Sequence, residues 1–74
     1  MQKPHKLSIQ DSTGSWYEII GGKELAEIFD TWRETNFNEG KIYVRGISGW
    51  TNHTPVEFAF DRETIKGMAL ERGS

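Results

Sequence analysis

The sequence has no cysteine, only two prolines, only two histidines and no long apolar run. Each shortage excludes something. Without cysteine there is no disulfide framework and no thiolate zinc site. No apolar stretch approaches the roughly 20 residues that a membrane helix needs. With nine basic residues against eleven acidic ones, net charge −2, a general nucleic-acid coat is not expected. The 74 residues form a single small α+β domain, too short for a separate cofactor domain, so no cofactor is expected. Small secreted domains usually carry disulfides, so the missing cysteines favour the cytoplasm. The basic start, Met1 to Lys6, is not followed by the apolar region of a signal peptide. Residues 1–5 and 72–74 are expected to fray.

Aromatic residues make up 12% of the chain, with three tryptophans, which is too many for a disordered one. Their pattern gives the elements. Lys6 to Gln10 alternates apolar and polar residues, as a half-buried strand does. Asp11 to Ser15 is a cluster of turn formers, and Trp16 to Ile20 is aromatic and β-branched. A hairpin is the expected result. Either Tyr17 and Ile19 or Trp16 and Ile20 face the core, and periodicity does not choose between them.

After Gly21 and Gly22 the period changes. Leu25, Ile28, Phe29 and Trp32 fall at i, i+3, i+4 and i+7, one apolar stripe of a helix over residues 22–35. With Gly21 as N-cap, Ile20 and Leu25 would staple its start. Asn36 is the expected C-cap. Strand patterns resume over residues 41–45, 56–60 and 65–71. The order is ββαβββ, an antiparallel sheet with one amphipathic helix on one face. The facing sheet residues are Leu7, Ile9, Ile42, Val44, Val56, Phe58, Phe60, Met68 and Leu70. The alternative is a small SH3-like barrel with an inserted helix, bent at Gly46 and Gly67.

No catalytic motif emerges, and the chain is not expected to be an enzyme. Gly22-Lys23 is followed by Glu24, which would repel the phosphate a phosphate loop holds. Gly46 to Gly49 follows a strand, whereas a KH clamp needs two helices. His5 and His53 lack partners at a diagnostic spacing and read as solvated surface. Asp61 and Glu63 read as turn residues, and Ser15 and Ser48 lack a nucleophile-elbow pattern. No metal-ligand spacing is present, so no metal is expected.

Two surfaces remain. Residues 24–39 carry five acids and one base, giving −4 locally. A solvated helix face accounts for this; Glu24, Glu27, Asp30 and Glu34 are a reserve docking surface for a basic partner. The second is aromatic. With Ile42 and Val44 inward, Tyr43 and Arg45 point outward. Trp50 stands among turn residues and either plugs the core or lies exposed. Trp50, Tyr43, Arg45, His53 and Trp16 are therefore the expected partner-binding set, for another protein or a second copy of the chain. The alternative is single-stranded nucleic acid stacked on Tyr43, Arg45 and Trp50. No membrane partner is expected.

Overall fold

The computed structural model describes residues 4–34, 40–51 and 53–73. The elements are β1 (His5–Asp11), β2 (Trp16–Gly21), α1 (Glu24–Glu34), β3 (Lys41–Ser48), β4 (Pro55–Asp61), a 3₁₀ turn (Arg62–Thr64) and β5 (Ile65–Glu71). One antiparallel sheet runs in the order β4-β3-β2-β1-β5. This is the expected α+β architecture.

The sheet is open, and the barrel alternative is set aside. Its edges, β4 and β5, are joined end to end by the three-residue 3₁₀ turn. Strands at opposite edges can be joined so tightly only if the sheet curls strongly. Ring contacts show the curl. Tyr17 of β2 meets Phe58 and Phe60 of β4 edge to face, with centroids 5.3 Å apart in both pairs, across the intervening β3.

The β1–β2 turn closes on Asp11. The Gly14 N–H donates to the Asp11 carbonyl at 3.1 Å, and Gly14 takes φ +91°, a left-handed conformation that glycine enters without a Cβ clash. Strand β2 then presents Tyr17 and Ile19 to the core, while Trp16 and Ile20 face away. Ile20 therefore points away from the helix, and no staple to Leu25 forms. The helix starts at Glu24, later than expected. Glu27 N–H donates to the Lys23 carbonyl, and Glu24 Oε1 reaches back to accept from Gly22 N–H at 3.1 Å. The expected stop at Thr35 and Asn36 lies outside the described residues.

Leu7, Ile9, Ile19, Leu25 and Val44 are fully buried, with Phe60 and Ile65 beside them. Ile28, Phe29, Trp32, Ile42, Val56, Phe58, Met68 and Leu70 pack around this centre, so the expected core residues converge. Among the described residues no helix is long and apolar enough to cross a membrane.

Two glycines in or beside β3 set how β2 meets it. A Cβ on Gly46 would lie 2.5 Å from the Ile20 carbonyl oxygen and 2.6 Å from Ile19 Cγ2. A Cβ on Gly49 would lie 2.7 Å from Glu18 Cβ. Strand β3 therefore crosses β2 at its C-terminal end, where Ile19 pairs with Ser48 and Ile20 with Ile47. Among the described residues, the other half of β3 pairs with β4 alone. Gly67, the other expected bend, faces Gln10 beside a register shift in the β1–β5 ladder. A Cβ there would meet nothing within 4 Å.

Candidate functional site

Trp50 does not plug the core. It is 68% exposed in the β3–β4 loop, where its N–H donates to Ser48 Oγ at 3.3 Å. The loop is held by its own polar groups. Ser48 N–H donates to the Thr54 carbonyl at 2.8 Å, and Thr51 Oγ1 accepts from the N–H groups of His53 and Thr54. These bonds fix the backbone under Trp50 while its ring stays in water.

Tyr43 is 66% exposed and Trp16 46% exposed, and both are on the sheet face opposite the helix. Arg45 shares that face. Its guanidinium lies 3.7 Å from Glu57 on β4, an ion pair in open solvent. Such pairs contribute about 0–1 kcal/mol, so this one orients Arg45 more than it stabilises the sheet. Lys41 is matched likewise by Asp61 at 3.2 Å.

The five expected partner residues do not form one cluster. From Tyr43 to Ser48 is five strand steps, about 17 Å at ~3.4 Å each, with Trp50 beyond. Gly49 N–H donates to the Glu18 carbonyl at 2.8 Å, which lays the start of β2 beside the Trp50 loop. Trp16 thus lies at the end of β2 nearest the loop that carries Trp50 and His53, and Tyr43 and Arg45 lie further along β3. Half-buried Ile47 lies between them, paired with Ile20. The arrangement is a strip along β3.

The acidic helix residues divide. Asp30 lies 3.5 Å from Arg72, tying the helix to the chain beyond β5. Glu34 is exposed at the helix end. Glu24 and Glu27 line a groove of about 380 Å³ between α1 and the start of β3, walled by Ile28, Trp32, Ile42 and Tyr43. This groove was not visible in the sequence, because it depends on where β3 parts from β2.

The histidines have ordinary roles. His53 is exposed. His5, expected in a frayed arm, opens β1, and its Nδ1 accepts from Gly73 N–H at 2.7 Å, pinning the chain beyond β5. Among the described residues no group of three His, Asp or Glu side chains is placed to hold a metal ion.

One carboxylate is distinctive. Asp11 Oδ1 accepts from Thr13 Oγ1 at 2.6 Å, Thr13 N–H at 3.0 Å and Ser15 N–H at 3.1 Å. Its Oδ2 accepts from the Tyr17 hydroxyl at 3.2 Å. The Thr13 hydroxyl, ahead of the backbone donors, holds the Asp11 carboxyl below the usual carboxylate range. The same carboxylate, as acceptor and as nearby charge, raises the Tyr17 phenol above its ordinary value. These bonds close a turn, and the cluster is structural. Comparison with known protein families, curated proteins and solved structures finds no match.

Proposed function

We propose that this chain is a non-enzymatic protein-interaction module whose partner surface is the outward strip of β3 with the Trp50 loop. One observation carries the reading. Among the described residues, Trp16, Tyr43 and Trp50 are the large apolar side chains left exposed, in a domain small enough to have a thin core. Tryptophan, tyrosine and arginine are the residues that dominate binding energy at protein interfaces. The ordered backbone beneath Trp50 supports this, because a ring held in place loses less freedom on binding.

The charge pattern favours protein over nucleic acid. Lys41 and Arg45 are each matched by an acid across the β3–β4 ladder, so a phosphate backbone would meet little surplus positive charge there.

Site-specific photo-crosslinking tests the reading. A benzophenone side chain is placed at position 50, at position 43 or at exposed Thr13 as control. In cells, the first two positions should trap one defined protein, either a second copy of the chain or another polypeptide. Equal trapping from all three positions, or none from 43 and 50, overturns the assignment. Sedimentation velocity of the purified chain distinguishes self-association from binding of a different protein.

A further inference from the structure

Strand β3 has a second feature, on its flank rather than its face. In an antiparallel ladder, successive residues direct their backbone groups alternately to the two neighbouring strands. Ser48 N–H points to β4, where it meets the Thr54 carbonyl. Gly49 N–H points the other way, to Glu18 of β2. The β3–β4 register runs without a break from Lys41↔Asp61 to Ile47↔Pro55. The backbone N–H and C=O groups of Tyr43 and Arg45 therefore point away from β4. On that side β2 pairs only with Ile47 and Ser48, and among the described residues no strand lies against Tyr43 or Arg45.

Helix α1 stands across the gap. Its Ile28 and Trp32, with Ile42 of β3, form the apolar wall of the groove; Glu24 and Glu27 line it, as do Lys41, which is paired with Asp61, and Arg62, which donates to the Trp32 carbonyl. Among the described residues no ion pair engages either glutamate. The volume, about 380 Å³, is at the small end of the range of about 300–1,000 Å³ typical of ligand pockets. It suits a few side chains, not a folded element.

We propose that this groove takes an extended peptide segment as an added strand beside residues 41–45, with alternate apolar side chains against Ile28, Trp32 and Ile42 and a cationic side chain at Glu24 and Glu27. Backbone pairing to Tyr43 and Arg45 supplies the general attraction, as in other strand-addition sites. The apolar wall and the two glutamates supply selectivity. The outer edge of β4 begins with Pro55 and carries charged Glu57 and Asp61, which discourage added strands. This site does not depend on Trp50; it shares Tyr43 and Arg45 with the aromatic strip, so Trp50→Ala is the variant that separates the two readings.

The test uses three capped octapeptides with the intact protein. One alternates valine and threonine and is flanked by arginines. The second replaces the arginines with glutamates. The third is the arginine peptide N-methylated on alternate amides, which blocks strand pairing. The arginine peptide should shift the amide resonances of Tyr43 and Arg45. Its affinity should fall at least tenfold on N-methylation, with the glutamate flanks and in Glu27→Lys, but not in Trp50→Ala. The proposal is overturned by no binding at millimolar peptide, by shifts confined away from β3 and α1, or by affinity indifferent to N-methylation. Peptide-free, concentration-dependent shifts of Tyr43 and Arg45 would assign the edge to a second copy of the chain and overturn it equally.

Discussion

The Arg62 guanidinium donates from Nη2 to the main-chain carbonyl of Trp32 at 2.7 Å. This bond joins the turn between β4 and β5 to the last turn of α1, thirty residues earlier. It places a cation on a carbonyl of the last described turn, toward the negative end of the helix dipole. The Arg62 backbone N–H also donates to the Gly40 carbonyl, just before β3. Arg62 thus holds the helix end and the start of β3 at one point, which fixes the width of the groove between them.

Arg62→Ala should lower stability by about 1–2 kcal/mol, the range for a charge-assisted bond that is partly solvated. Urea denaturation should show a lower midpoint with an unchanged slope. Arg62→Lys should recover only part of the loss, because an ammonium lacks the planar fork.

Asp11 and Tyr17 predict opposite pH dependences. The Asp11 carboxyl titrates lower in the folded chain than in the unfolded one. Its contribution is present above the unfolded value of about 4 and is lost as pH falls through the folded value. The Tyr17 phenol titrates higher when folded. Its contribution is present below the unfolded value of about 10 and is lost as pH rises through the folded value. Thermal midpoints across pH should therefore fall at both ends. Asp11→Asn should flatten the acid limb and Tyr17→Phe the alkaline one. Identical profiles in wild type and Asp11→Asn would contradict the turn described above.

Gly46 and Gly67 should respond differently to alanine. At Gly46 the new methyl meets the Ile20 carbonyl at 2.5 Å, and a main-chain atom cannot swing aside. The cost should be about 1–3 kcal/mol, as for other overpacked sites, with loosening at the β2–β3 crossing. At Gly67 nothing lies within 4 Å, and the change should stay within about 0.5 kcal/mol. Chemical denaturation of the two variants measures the contrast.

Trp50→Ala and Tyr43→Ala should leave the thermal midpoint nearly unchanged, since both rings lie mostly in water. Each should weaken binding to whatever partner the crosslinking experiment identifies. A large stability loss with intact binding would return both residues to the core.

The sequence pattern located every element to within a few residues, because each signal was local. Alternation marks a strand, and Leu25, Ile28, Phe29 and Trp32 mark a helix face. Three features needed the folded chain. Tyr17–Ile19 and Trp16–Ile20 are equally apolar, so the choice rests on Tyr17 reaching Phe58 and Phe60 from a distant strand. Gly46 resembled an interruption, yet β3 continues through it to Ser48, because close approach to β2 requires a residue without a side chain. The exposure of Tyr43 was anticipated from alternation, whereas the sequence left Trp50 and Trp16 open. The groove was not anticipated, since it arises where β3 leaves β2 and the helix crosses the opening.

Amide hydrogen exchange along β3 tests most directly that this strand carries an open flank. Within residues 42–45 the account predicts alternation. The N–H groups of Ile42 and Val44, directed at β4, should exchange slowly. Those of Tyr43 and Arg45, directed away from β4, should exchange much faster. Uniform protection across the four amides would mean that the flank is already paired, and the groove would then have no edge to offer.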